Sequence, residues 1–259
     1  MSYRLTVFSR HPSHNALRRA NVMLPLKTSL RLGSTTRGKS KYAIELNNPD
    51  SVTISANKKL MKEAFTKANI TTAEWWTMET YITFVAGDGH STDTTETLPY
   101  PIVAKHIYGS RGTGNFLIKT KEELSAWLVG KTLTNYIFEK FYNYSREYRL
   151  HISKNGCFYA CRKMLKNDIP KDKRWYRNDS NSTWILEENP AFNKPATWDT
   201  IIKECIIALN TIGLDLAAFD VKVEAKDSNK FIIIESNSAP SFGENTLKQY
   251  INEIPKIIY

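Results

Sequence analysis

The residues best suited to chemistry lie near the C-terminal end of the chain. Glu235 and Asn237 stand two apart at the end of the apolar run 231–234, so on a strand their side chains share a face. The preceding stretch, residues 216–225, alternates Phe219, Val221 and Val223 with Asp220, Lys222 and Glu224, which is the pattern of a strand with one apolar and one polar face. A turn through Asp227, Ser228 and Asn229 joins the two as a hairpin. Register counting about Ser228 sets Asp220 opposite position 236, give or take one. Asp220, Glu235 and Asn237 are then expected on one face, an all-oxygen set that suits a hard divalent cation such as Mg²⁺ shared with nucleotide phosphates. Taken alone, the same residues also describe a polar strand end that reaches solvent.

Two further patterns precede that hairpin. A short apolar run, 100–106, carries Lys105 near its end and is followed by Gly109, Ser110, Arg111, Gly112, Thr113 and Gly114, then by the apolar segment 116–118. This reads as strand, glycine-rich loop, strand, unlike the P-loop and dinucleotide motifs, whose glycines open a helix. Its amides can wrap a phosphate, with the Lys105 ammonium close by; a plain flexible loop has the same composition. The third pattern is Glu139, Lys140, Phe141 and Tyr142 followed by Glu147, Tyr148 and Arg149. A strand end with free backbone groups beside an aromatic can hold an adenine, and a nearby carboxylate can accept from ribose hydroxyls. Hydrolase triads, GxSxG and metal-binding histidine motifs have no match: His11, His14, His90, His106 and His151 are scattered. Cys157, Cys161 and Cys205 form neither a disulfide framework nor a zinc spacing.

These residues must be positioned by a small set of elements. Residues 57–69 place Leu60, Ala64, Phe65 and Ala68 at helical spacing, and 121–129 have helical character. Residues 87–99 read as a polar loop, and 136–141 and 148–152 as strands. Asn155-Gly156 is a hairpin turn between segments ending at Ser153 and starting at Cys157. Residues 197–212 carry an apolar stripe of Ile201, Cys205, Leu209 and Ile212, with Thr197 as N-cap and Gly213 just past the end. Strands and helices alternate without a repeated βαβ rhythm, so the expected class is α+β with antiparallel sheets.

Composition fits this picture. The chain has 259 residues, 41% hydrophobic and 24% charged, enough to bury a core without disulfides. Its apolar runs fall far short of the roughly 18 residues of a membrane span, and the front lacks the apolar core of a signal peptide. A cytoplasmic location follows as the expectation. The net charge of +10 is concentrated: residues 1–60 hold eleven Lys or Arg against Glu45 and Asp50, and residues 149–177 hold nine against Asp168 and Asp172. Pro12, Pro25 and Gly33 interrupt any amphipathic transit helix at the front. The basic clusters are either solvated faces or surfaces that gather phosphates or an acidic partner.

In this order the three patterns resemble the ATP-grasp superfamily, from about residue 57 to 245, and most closely its branch of amino-acid and peptide ligases. That branch includes ribosomal-protein glutamate ligases and D-alanine ligases. The residues that carry the likeness are YPIVAKHIYGSRGTGNFLI, YIFEKFYNYSREYRLHI, AFDVKV and FIIIESNSAPSF. The resemblance implies two α+β subdomains with antiparallel sheets that grip ATP, and a carboxylate activated as an acyl phosphate that an amine then attacks, releasing ADP and phosphate. It implies Asp220, Glu235 and Asn237 as ligands of Mg²⁺, two ions in all, with Mn²⁺ as a substitute. It implies Lys58 and Lys105 on the phosphates, the 109–114 loop over the triphosphate, Glu139 and the backbone of Lys140 to Tyr142 at the adenine, and Glu147 at the ribose. Arg149 and Arg162 fall where the branch directs basic residues toward the acyl phosphate.

The departures concern the substrate end. Pro240-Ser241 stands where a Pro-Gly is usual, residues 177–182 lack paired glycines, and the region before residue 57 is short for an acceptor-binding domain. The expected organisation is a shortened basic region, 1–56, a subdomain with the glycine-rich loop, 57–138, and a subdomain with the metal site, 139–259. The expected partners are ATP, a carboxylate and an amine, one of them possibly on a macromolecule, with no membrane. A kinase that stops at phosphate transfer and an ATP-dependent module binding nucleic acid or an acidic protein are the alternatives.

Overall fold

The structure, a computed structural model, describes residues 1–38, 41–78, 98–109, 113–178, 180–224 and 229–258. Most of the loop expected at 87–99, and Asp227 and Ser228 of the hairpin turn, lie outside these residues, as do Ser110, Arg111 and Gly112.

The front of the chain contains β1 (Tyr3–Arg4), β2 (Thr6–Phe8), α1 (Asn15–Arg19), β3 (Met23–Leu24), β4 (Thr28–Arg31) and β5 (Ile44–Leu46). β1 pairs with β3, while β2, β4 and β5 form a parallel sheet in that order. This parallel unit departs from the all-antiparallel expectation. Strands of two to four residues are too short to show an alternation in sequence. The unit also consumes much of the basic front. Arg31 is buried in an ion pair with Glu45 at 2.8 Å and lies 5.0 Å from the centre of the Phe8 ring. Arg18 donates to the carbonyls of Val7 and Ser9, and Arg37 pairs with Asp50 at the surface.

Two helices follow, each opened by an asparagine. α2 (Pro49–Ala56) is capped by Asn48, whose side chain accepts from Asp50 and Ser51 N–H; α3 (Lys58–Lys67) is capped by Asn57, which accepts from Lys59 and Leu60 N–H. On α3 the buried apolar residues are Met61 and Phe65, whereas Leu60 and Ala68 of the expected stripe are exposed, so the buried face is turned from the one the spacing suggests. A small sheet comes next, in the order β6 (Trp75–Trp76), β9 (Tyr136–Lys140), β7 (Ile102–His106), β8 (Asn115–Ile118), antiparallel throughout and backed by α4 (Lys121–Leu128). The division drawn between residues 138 and 139 falls inside β9.

The large sheet has five described strands in the order β12 (Ser182–Leu186), β11 (Gly156–Leu165), β10 (Arg146–Ser153), β13 (Leu216–Val223), β14 (Phe231–Asn237), again antiparallel. β10 and β11 turn at Asn155, with Ser153 opposite Gly156. One face packs on α5 (Trp198–Thr211), whose Ile201, Cys205 and Leu209 join Phe219, Val221 and Ile233 in the main core; Met61 and Phe65 of α3 belong to the same cluster. Thr197 stands at the N-cap but its side chain does not cap the helix, and Gly213, just past the helix end, has φ +72. The last helix, α6 (Glu244–Lys256), joins the front unit to the large sheet through Tyr250 and Ile254, which pack with Leu30 and Leu216.

Candidate active site

Alternation along the large sheet puts apolar residues on α5 and charged ones on the opposite face. Across the strands the register aligns two rows: Lys163, Glu147, Lys222 and Ile232, and beside them Cys161, Arg149, Asp220 and Glu235. Arg149 holds Asp220 with two parallel bonds, Nε to Oδ1 at 2.7 Å and Nη2 to Oδ2 at 2.9 Å. Lys163 bridges the rows, 2.7 Å from Asp220 Oδ2 and 2.9 Å from Glu147 Oε1. Burial by itself would raise the Asp220 carboxyl, yet Arg149 and Lys163 hold it well below the usual carboxylate range. Burial likewise opposes the charge on Glu147, which Lys163 and Lys222 outweigh, so its carboxyl also lies low.

Glu235 reaches the Asp220 row through a β-bulge. The register passes from Val221↔Ile233 to Asp220↔Glu235, so Ile234 is the extra residue. Without it Ile234 would stand opposite Asp220 and Glu235 would turn into the core. Glu235 is the least engaged carboxylate of the group: its side chain is 32% exposed, with Lys58 Nζ at 3.5 Å. Asn237, on the same face, accepts from Ala239 N–H at 2.9 Å. An all-oxygen set with one carboxylate held ionised and another nearly free fits a hard divalent cation.

The small sheet supplies the facing wall. Lys105 of β7 lies 2.6 Å from Glu139 Oε2, and Lys62 of α3 lies 3.2 Å from Glu139 Oε1. Burial pushes the Lys62 ammonium down to about 8 despite Glu139, while the two lysines keep the buried Glu139 carboxyl below its ordinary value. Beyond β7 the chain turns tightly: Gly114 has φ +78, and a Cβ there would sit 2.9 Å from His106 Cβ. A Cβ on Gly109 would meet the Thr113 carbonyl at 2.5 Å. Lys58 Nζ donates to the Gly109 carbonyl, which ties the loop to the first turn of α3. At the end of β9, Lys140 N–H bonds to Glu74 and Phe141 N–H to Pro101, while Tyr142 N–H has no acceptor among the described residues.

Both walls line one cleft of about 550 Å³, which includes Lys58, Lys105, Gly109, Glu139, Lys140, Phe141, Tyr142, Glu147, Arg149, Asp220, Glu235 and Asn237. Thr113 and Gly114 of the glycine-rich loop lie outside it, as does Arg162. It lies on the helix side of the sheet, opposite Tyr148, and its Nη1 donates to the Ala191 carbonyl at 2.8 Å. The cause is a bulge between His151 and Ile152, which shifts the β10–β11 register by one. Unshifted pairing from the Asn155 turn would set Arg162 opposite Glu147, on the cleft face; the extra residue gives that place to Lys163.

Lys163, Lys222, Trp175, Tyr176 and Arg177 were not expected in this cleft from the sequence, nor was Lys62 behind Glu139. The signal for Lys222 was present, since it shares the polar face of Asp220. Arg177, 3.6 Å from Glu147 Oε2, comes from the loop between β11 and β12, where no periodicity points inward. The front unit also contributes, through His11 and Gly33.

No family model matches the sequence, and no curated protein matches it. Solved structures do. A D-alanine–D-alanine ligase from Bacillus anthracis complexed with ATP superposes with a TM-score of 0.61 at 16% identity, over 96% of this chain and 81% of that one. The carboxyaminoimidazole ribonucleotide synthase of Aspergillus clavatus complexed with ATP gives 0.55 at 16%, over 82% and 53%. The ATP-grasp ligase PsnB complexed with a minimal precursor gives 0.52 at 14%, over 77% and 57%. The chain has the ATP-grasp fold of these structures. At such identities the likeness is one of fold, and the chain spans little more than half the length of the synthase and PsnB chains.

Proposed function

We propose that the protein is an ATP-dependent ligase that joins a carboxylate to an amine through an acyl phosphate. The observation that carries this reading is the row Arg149, Asp220, Glu235 lying in one cleft with the Lys105–Glu139 pair. Transfer of the γ-phosphoryl group needs positioning and charge stabilisation more than a protein nucleophile. A substrate carboxylate oxygen attacks the γ-phosphorus, the bond to the β-phosphate oxygen breaks and ADP leaves. The amine then attacks the acyl carbon, loses a proton and expels phosphate.

The cleft has donors to spare for this. Lys105 spends one of its three N–H groups on Glu139, and Arg149 spends two of its five on Asp220. The remainder are available to phosphoryl oxygens, where fixed donors act most strongly. Asp220, Glu235 and Asn237 would hold Mg²⁺, or Mn²⁺ in its place, which when bound neutralises phosphate charge. Tyr142 N–H and the Phe141 ring suit a purine, and Lys58 on the Gly109 carbonyl suits a loop that follows the phosphates.

The test is turnover of ATP with Mg²⁺ and a panel of amino acids and short peptides, with hydroxylamine added to trap an acyl phosphate as a hydroxamate. Substrate-dependent ADP, phosphate and hydroxamate, lost in Glu235→Gln, are the expected result. Release of AMP and pyrophosphate, or a stable phosphorylated product, would refute the acyl-phosphate route.

A further inference from the structure

Lys222 stands apart among the Lys and Arg side chains of the cleft. Lys58, Lys105, Lys140, Arg149, Lys163 and Arg177 each meet a carboxylate. Lys222 makes no ion pair or hydrogen bond among the described residues. Its register partner Glu147 turns both oxygens elsewhere, to Lys163 and Arg177. The Lys222 ammonium lies instead 5.6 Å from the centre of the Phe141 ring, beside the strand end where Tyr142 N–H is unused. The groups that face it are Glu147 from β10, Arg177 from the loop after β11, Lys105 from β7 and Glu139 from β9. Burial dominates over their mixed signs and pushes Lys222 down to about 8.

Lys222 is half-buried at the cleft wall, so its ammonium presents unused donors to whatever occupies the cleft. Asp220 and Lys222 are two residues apart on one strand face, about 7 Å. If phosphates gather at Asp220 and Glu235, the position above Lys222 and Phe141 receives the nucleoside. Resting on the ATP reading, we propose that Lys222 is a nucleotide-specificity residue, its ammonium donating to an acceptor on the nucleoside, either a ribose hydroxyl or a ring nitrogen or carbonyl oxygen of the base.

Calorimetric titration with Mg²⁺ and ADP, 2′-deoxy-ADP or GDP tests this on wild type, Lys222→Met and Lys222→Arg. Methionine orphans no partner, so the fold is retained, and a matched melting temperature checks this. ADP affinity is expected to fall about tenfold in Lys222→Met, with partial recovery in Lys222→Arg. A loss seen with ADP but not with 2′-deoxy-ADP assigns the acceptor to the ribose; a loss with both, and an altered ADP-to-GDP ratio, assigns it to the base. Equal affinities and ratios in wild type and Lys222→Met overturn the proposal and leave the ATP reading standing. Failure of wild type to bind either ADP or GDP would instead remove the ATP reading itself.

Discussion

The two faces of the large sheet are both largely buried, and they are built from the same strands for opposite purposes. Toward α5, Tyr148, Leu150, Phe219 and Val221 pack in a continuous apolar cluster. Toward the cleft, their neighbours Glu147, Arg149, Asp220 and Lys222 form rows of charge. Buried ion pairs contribute little net stability, because desolvation offsets their attraction. The apolar face must therefore hold the sheet while the charged face remains free for chemistry. Substitutions on the two faces should separate accordingly. Phe219→Ala is expected to cost about 3–5 kcal/mol in urea denaturation. Glu235→Gln, which gives up a single 3.5 Å contact, is expected to leave the denaturation midpoint nearly unchanged and to lower ATP turnover about 10²–10³-fold. Comparable stability losses for both would erase the distinction.

A sharper version compares adjacent residues of β11. Lys163 faces the cleft and Arg162 faces the Ala191 carbonyl behind it. Lys163→Met is expected to reduce ATP turnover about 10²-fold, whereas Arg162→Met keeps turnover within about twofold. Steady-state kinetics of the pair read the register directly, and a reversed ranking would mean that Arg162, not Lys163, faces the cleft opposite Glu147.

That bulge also marks where the sequence stops being readable. The hairpin of β13 and β14 was legible, because alternation at Phe219 to Val223 fixes the faces and two-residue spacing puts Glu235 with Asn237. The helices were legible from spacing too, α5 with its buried Ile201, Cys205 and Leu209, and α3 only in part, since Leu60 and Ala68 of its expected stripe are exposed while Met61 is buried. Asn155-Gly156 announced the β10–β11 turn, but nothing in local composition announces an extra residue three positions later, and one residue suffices to exchange Arg162 for Lys163. The front unit was opaque because its strands are only two to four residues long and draw their partners from Tyr250 and Ile254, more than two hundred residues away. Arg177 enters the cleft from an irregular loop, a placement set by tertiary packing alone.

The charged face is not uniform along β10, and pH can expose the difference. Past Arg149 the strand runs under α6, where His151 Nδ1 lies 3.2 Å from the Tyr250 hydroxyl. Burial, reinforced by Arg149 and opposed by Asp220, pushes His151 down to about 3. The unfolded chain takes up a proton near the ordinary histidine value of about 6.5 and the folded chain does not. Stability from this group is thus full above about 6.5 and is lost as pH falls toward 3, at up to about 1.4 kcal/mol per pH unit. Urea midpoints between pH 6.5 and 5 should show the slope, and His151→Gln should reduce it; His14, buried and also lowered, accounts for a remainder. An unchanged slope in the variant would place His151 in contact with water.

The smallest effect separates two helix caps of the same chemistry. Asn48 and Asn57 each accept two backbone N–H bonds, so replacing either with alanine is expected to cost about 1 kcal/mol in stability. Only α3 delivers its first residue to the cleft, where Lys58 reaches the Gly109 carbonyl and Glu235. Asn57 also donates to the Tyr108 hydroxyl at 3.2 Å, a residue that borders the same cleft. Asn57→Ala should therefore weaken Mg²⁺–ADP binding about threefold, under 1 kcal/mol, while Asn48→Ala leaves it unchanged. Calorimetric titration of the two variants at matched stability distinguishes a cap that merely starts a helix from one that also aims a lysine; identical ADP affinities would reduce Lys58 to a structural tie between α3 and the loop.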